Sequence, residues 1–267
     1  MIKILQIILC LLLPLFINAA ERVVSLSPAV TELVIYAGGK GQLCARSSAC
    51  TMPEVNHLPV AGDLGLPFVE AVLKNRATLV LTDIYHPQSQ WDLLRRCGVK
   101  IELLDNRQID SLPGNVRKIG SLLSLPDAGN LASALQNRIT ELRKSRPAKP
   151  VKAVIIFGVS PLISCGKDTF VSAAMELAGV ENAAASAGQG YFILTPEFLL
   201  AAAPEYIFVI GIPETVVQEF FNRGIFRHLP VVRQKKIIIL PADKWSRLTP
   251  ELITAIGELR TLLAGQN

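Results

Sequence analysis

Charge is scarce in this chain. Asp, Glu, Lys and Arg make up 18% of its 267 residues, where about 25% is usual for a soluble domain. Scarce charge together with long apolar runs marks a membrane protein, but those runs are missing. Past residue 20 no stretch reaches about 18 uninterrupted apolar residues. The nearest, Phe198 to Ile212, contains Pro204 and Glu205. Aromatics are only 6%, with no Lys/Arg cluster interleaved among them, so no nucleic-acid partner is expected. Five cysteines are too few for a small disulfide scaffold, and no C-x-x-C pair exists to seed a zinc site. The three histidines, His57, His86 and His228, show no metal-ligand spacing. His86 follows a strand ending near Asp83 and is the one weak candidate for a metal at a cleft mouth. An exposed loop histidine is the plainer reading.

Catalytic motifs are also missing. The phosphate-loop pattern fails at Gly166-Lys167, because Pro161 takes the place of its first glycine and Asp168 follows the lysine. G-x-S-x-G does not occur. Ser164-x-x-Lys167 has the spacing of Ser-Lys hydrolases but none of their downstream partner motifs. A secreted Ser-Lys hydrolase is therefore the remote alternative. No acid, base and nucleophile assemble, and the chain is expected to bind rather than catalyse.

What is present is apolar: 50% of residues are hydrophobic. Such a chain has ample material for a core, which excludes disorder. Part of it is a leader. Lys3 precedes the run Ile4 to Ile17, broken by Gln6 and Pro14, and Asn18-Ala19-Ala20 closes it. A positive start, an apolar middle and a small-residue end predict a cleaved secretory signal over 1–20, cut near Ala20. An uncleaved anchor is the alternative. Cleavage removes one lysine, so the 27 basic and 22 acidic residues become 26 and 22, a net charge of +4. It also removes Cys10, leaving Cys44, Cys50, Cys97 and Cys165 with three conceivable pairings. Cys44 and Cys50 are close enough to bridge a short loop. Cys97 and Cys165 read equally well as buried free thiols.

The remaining chain alternates strands and helices. Val23 to Leu26, Thr78 to Thr82 and Val99 to Leu104 read as buried strands. Ser27-Pro28 opens one helix and Trp91 to Cys97 forms another, stopped by Gly98. Leu131, Leu135, Ile139 and Leu142 fall on one stripe of a long helix over Asp127 to Lys144, about 27 Å long. Arg146-Pro-Ala-Lys-Pro150 ends it, and the pattern restarts. Strands are predicted at Ala153 to Phe157, Tyr206 to Ile210 and Lys236 to Leu240. Helices are predicted at Phe170 to Ala178, after Thr195-Pro196 and after Thr249-Pro250. The predicted class is α/β: two lobes with mostly parallel central sheets, joined by one long rigid helix, with a ligand cleft between them. The divisions are 21–125, 126–147 and 148–267.

Several segments together resemble the periplasmic substrate-binding proteins of ABC importers that carry vitamin B12, haem and iron-siderophores. These are Arg22-Val-Val-Ser-Leu-Ser-Pro-Ala-Val-Thr-Glu-Leu33, Cys50-Thr-Met-Pro-Glu-Val55, Pro59-Val-Ala-Gly-Asp63 and Val69-Glu-Ala-Val-Leu73. Farther on come Phe157-Gly-Val-Ser-Pro161, Cys165-Gly-Lys-Asp-Thr-Phe170, Met175 to Asn182, and Thr195-Pro-Glu-Phe-Leu-Leu-Ala-Ala-Ala-Pro-Glu205. They occur in the family's order across nearly the whole mature chain. The vitamin B12 binders are the most similar.

The resemblance implies a periplasmic monomer that holds a small molecule in its cleft and docks on an inner-membrane permease. One surface glutamate per lobe meets permease arginines in that family. Glu70 and Glu197 stand at the matching positions, where an acidic residue also gains about 0.3–1 kcal/mol from the helix dipole. Tyr191, Trp245 and Arg247 fall near cleft segments of the second lobe. Met52, Asp63 and Asp83 stand where the first lobe of B12 binders often has aromatics. The implied ligand is a corrinoid. Haem is the alternative, with Tyr85, His86 or Tyr191 as axial ligand. A ferric siderophore is another, favoured by Arg46, Arg247 or Lys167. Core packing is the plain reading of each aromatic, and a receptor-like scaffold without transport is a further class.

Overall fold

The computed structural model describes residues 20–84 and 89–265. Residues 1–19 of the expected 1–20 leader, and the haem or metal candidates Tyr85 and His86, lie outside the described residues.

The first sheet contains β1 (Val23–Ser25), β2 (Leu43–Ser47), β3 (Val60–Asp63), β4 (Leu66–Pro67), β5 (Leu79–Thr82) and β6 (Lys100–Leu103). Its order is β4-β3-β2-β1-β5-β6, parallel except for the antiparallel β3–β4 pair. The remaining strands are β7 (Val151–Ile156), β8 (Gly158–Val159), β9 (Leu162–Cys165), β10 (Val180–Asn182), β11 (Tyr191–Ile193), β12 (Tyr206–Ile210) and β13 (Ile237–Leu240). They form a parallel sheet β10-β7-β12-β13 and a small antiparallel sheet β11-β9-β8. Leu79-Val-Leu-Thr82 and Tyr206-Ile-Phe-Val-Ile210 are buried at every position. That is what strands covered on both faces require. No described helix is long and apolar enough to cross a membrane.

The predicted helix start at Ser27-Pro28 holds in detail. Ser27 is extended, its hydroxyl accepts the Val30 N–H at 3.2 Å, and Pro28 opens the helix Pro28–Tyr36. Ser111–Leu123 and Glu214–Phe221 are among the helices that the sequence does not announce. Ser111–Leu123 contains Pro113 and Gly114, a pair that reads as a break. Pro113 lies in the first turn, where a backbone N–H needs no intrahelical partner, so it is tolerated.

The long helix runs Ala128–Lys144. Its buried stripe is Ala128, Ala132, Leu135 and Ile139, and the expected Leu131 and Leu142 flank that stripe, partly buried. The alanines allow a close crossing with Ser111–Leu123. A Cβ placed on Gly120 would stand 2.2 Å from the Ala128 Cβ. Gly120→Ala is therefore expected to destabilise the chain by about 1–3 kcal/mol through overpacking, although alanine is the better helix former by about 1 kcal/mol. Denaturant unfolding checks this, and unchanged or raised stability contradicts it.

The long helix is tied at its C-terminal end to both sides of the molecule. Arg143 Nη2 donates to both Asp110 oxygens at 2.7 Å. Arg260, from the last helix Pro250–Ala264, donates to the Leu177 carbonyl at 2.7 Å and to the Ser145 hydroxyl at 2.9 Å. It also donates to the Leu142 carbonyl. A connection locked in this way is expected to permit little lobe motion. Matching X-ray scattering profiles with and without ligand would agree, and a large compaction would contradict it.

All four described cysteines are free. The Cys44–Cys50 bridge is not formed, because the two thiols pack into different cores. Cys44 packs with the Val24, Ala45 and Val80 side of the first sheet. Cys50 belongs to the core on the other side, its Sγ 3.1 Å from the Thr31 hydroxyl. Cys97 is exposed, contrary to the buried-thiol reading. Cys165 fits that reading, and burial pushes its thiol up to about 11.

Candidate functional site

A cavity of about 450 Å³ lies between the two halves, within the usual range for small-molecule sites. Most of its wall comes from segments that follow parallel strands. Ser27, Pro28 and Ala29 follow β1; Ala49 and Thr51 follow β2; Asp83 and Ile84 follow β5; Asn106 follows β6. From the other side, Ala242, Asp243, Ser246 and Arg247 follow β13, and Phe170 closes the wall. Ligands in open parallel sheets bind beyond the carboxyl ends of strands, where strand order reverses. In the first sheet that reversal is at β1, flanked by β2 and β5.

The polar chemistry of the cavity is specific. Asn106 Nδ2 donates to Asp83 Oδ2 at 3.1 Å. Asp83 Oδ1 and Asn106 Oδ1 are shielded from water and have no hydrogen-bond partner among the described residues. An unpartnered buried acceptor costs about 1–3 kcal/mol, so this wall is short of donors. Arg247 Nη1 lies 3.5 Å from Glu32 Oε2, a pair that ties the two sides together. Burial is the largest influence on the Glu32 carboxyl and pushes it above the usual range, against the pull of Arg247. Asp83 and Asp243 are left as the cavity's other charges among the described residues.

Of the sequence candidates, Asp83 and Arg247 line this cavity. Trp245 does not, and the expectation that it is a cleft aromatic is corrected. It is 2% exposed and packs in the core. It shares the helix Ala242–Trp245 with cavity residues, and Asp243, which lines the cavity, stands about 200° around that helix from Trp245, so the two side chains face opposite ways. Met52 packs partly buried against the core while Thr51, beside it, reaches the cavity. Asp63 is exposed at the end of β3 and accepts from the Ser48 hydroxyl. Tyr191 sits on β11 with its ring edge-on to Phe157, centroids 4.9 Å apart, outside the cavity wall. Tyr191 is half exposed, and shielding of its phenol, chiefly, raises it to about 12.

Arg46 does not face a ligand either. Its guanidinium holds the Cys50 carbonyl at 2.8 Å and the Asn56 Oδ1 at 3.0 Å. Ser164 is fully buried and donates its hydroxyl to the Ile155 carbonyl at 2.7 Å, while Lys167 is exposed. They do not form a Ser-Lys pair. Among the described residues no cluster of three His, Cys, Asp or Glu side chains is arranged to hold a metal. The sequence reading missed Asn106, Thr51, Phe170 and Asp243. The signal for all but Phe170 was their position, a few residues past the end of a parallel strand.

Two lobes with the cavity between them define a solute receptor, and the sequence agrees. Residues 23–244 match the family model described as "Periplasmic binding protein", and the chain belongs to that family. It is similar to the vitamin B12-binding protein of Salmonella choleraesuis, 26% identical over 262 residues, 97% of this chain and 96% of that one. Similarity to the vitamin B12-binding protein of Yersinia pestis is 29% over 262 residues, 95% and 90% of the two chains. The fold is that of the periplasmic vitamin B12 binding protein of Vibrio cholerae, with TM-score 0.79, 23% identity and coverage of 92% and 97%. The periplasmic haem-binding protein of Vibrio cholerae shares it, with TM-score 0.80, 22% identity and coverage of 91% and 98%.

Proposed function

We propose that the chain is exported, loses its leader near Ala20, and works in the periplasm as a monomeric substrate-binding protein. It captures a corrinoid and delivers it to the permease of an ABC importer. In this reading 21–125 and 148–267 are the lobes and 126–147 is the helix that spaces them.

The observation that carries the corrinoid over haem is the charge and hydrogen-bond deficit of the cavity. Its unpartnered atoms are acceptors on Asp83 and Asn106, and Arg247 is already engaged by Glu32. A corrin rim carries primary amides, whose N–H groups supply donors. Haem carries carboxylates, which meet like charge here, and like charge across an interface costs binding. Its candidate ligand Tyr191 lies outside the wall. Within the main cavity anionic ferric siderophores meet the same obstacle, because Arg247 is engaged by Glu32 and Arg46 is committed to backbone carbonyls and to Asn56.

Docking is proposed at Glu70 and Glu197. Both are exposed in the first turn of a helix, Val69–Lys74 and Pro196–Ala202. Each lies close after an exposed apolar side chain, Phe68 at 46% and Ile193 at 69%. A charge beside an apolar contact suits a reversible docking surface.

Protein isolated from the periplasm of cells supplied with cyanocobalamin is expected to carry the red corrinoid chromophore. Colourless protein after saturating exposure would overturn the proposal.

A further inference from the structure

A second cavity, of about 440 Å³, adjoins the first. Phe170 forms part of both walls, and the loop after β6 passes from one to the other, Asn106 lining the first cavity and Arg107 the second. The two chambers differ in sign. The second is lined by Arg107, Arg143, Arg146 and Lys167.

The carboxylates within the side chamber are already engaged. Asp110 accepts twice from Arg143 at 2.7 Å. Asp168 accepts the Gly190 N–H through both oxygens, at 2.9 and 3.0 Å. Glu176 lies 3.8 Å from Arg146. Lys167 is exposed and has no side-chain partner among the described residues. Arg107 is paired only with its near neighbour Asp105, outside the chamber, at 2.9 Å. That pair is highly exposed, 86% and 59% by side chain, so it holds the guanidinium weakly. Thr169 also lines the chamber and caps the helix Phe170–Leu177, whose N-terminal N–H groups add positive potential. The surplus is cationic, open to solvent and next to the ligand cleft.

We infer that this side chamber receives a phosphate-type anion carried by the ligand itself, the phosphodiester of a corrinoid's nucleotide tail, held by Lys167 and Arg107. The inference rests on the corrinoid reading and extends it. The main cavity takes the amide-bearing ring and the side chamber reads the tail, so complete corrinoids are preferred over those lacking the nucleotide. Lysine and arginine both form charge-assisted bonds to phosphate oxygens.

The experiment is calorimetric titration of the full mature chain, and of Lys167→Gln/Arg107→Gln, with cyanocobalamin and with dicyanocobinamide, which lacks the nucleotide. The double substitution is expected to weaken cyanocobalamin about tenfold and to leave dicyanocobinamide within twofold, which also shows that the variant is folded. Equal weakening of both ligands, or of neither, would overturn the side-chamber inference and leave the corrinoid reading standing. If the unaltered chain binds neither ligand, the corrinoid reading itself falls and takes the inference with it. If inorganic phosphate alone binds with the same dependence on Lys167 and Arg107 while cyanocobalamin is indifferent to them, the chamber serves a free anion and the inference is wrong.

Discussion

A chain carrying Glu70→Arg and Glu197→Arg together is expected to bind cyanocobalamin with unchanged affinity and to support none of its uptake. Neither residue lines the ligand cavity, and both are exposed in first helical turns. Reversal in the first turn forfeits the favourable dipole term, about 0.3–1 kcal/mol per site, which is small beside a total stability of about 5–15 kcal/mol. On a permease presenting arginines, as the family resemblance implies, the substitution turns two attractions into two repulsions. Repulsive elements discriminate more strongly than lost contacts. Single reversals are expected to give intermediate uptake, since one lobe still docks. Uptake in a cell lacking the native receptor, measured beside calorimetry on purified protein, separates the two effects. Affinity falling with uptake, or uptake surviving both reversals, would show that these glutamates are not the docking pair.

Asp83→Leu is expected to reduce cyanocobalamin affinity tenfold to a hundredfold. Hydrogen bonds to a charged acceptor contribute about 1.5–3 kcal/mol, and each 1.4 kcal/mol is a factor of ten. The substitution also orphans Asn106 Nδ2, which now donates to Asp83 at 3.1 Å. Asp83→Asn keeps one acceptor and removes the charge. It is expected to lose less corrinoid affinity and to raise the affinity for hemin relative to cyanocobalamin. Titrations of both variants with both ligands check this. An Asp83→Leu chain that binds cyanocobalamin as before would remove Asp83 from the site.

The backbone architecture was legible because its signals are local. Ser27-Pro28 and Thr195-Pro196 are helix starts, and both side chains cap as expected. All-apolar runs such as Leu79 to Leu81 announce strands buried on both faces. The misses came from tertiary context. Pro113-Gly114 looks like a break until its place in a first turn is known. The long helix was found, but its buried stripe is rotated toward Ala128 and Ala132, because closeness to Gly120 rather than side-chain size decides what is covered. Cys44 and Cys50 are near in sequence, yet the loop after β2 carries Cys50 into a different core from the one Cys44 packs against.

The site was half legible for the same reason. Asp83 and Arg247 were found through the resemblance, and the cavity contains both. Trp245 was misjudged, since an aromatic beside cleft residues on a helix points elsewhere. Asn106 carries no motif, and its role comes from the Asp83 side chain that it meets 23 positions away in the chain.

The central claim is that this cleft is built for an amide-rimmed macrocycle. Parallel calorimetric titration of the purified mature chain with cyanocobalamin, hemin and a ferric hydroxamate tests it most directly. The account predicts saturable one-to-one binding of cyanocobalamin, tighter than either iron-bearing ligand. Tight binding of hemin or the hydroxamate, with cyanocobalamin weak or silent, would contradict it.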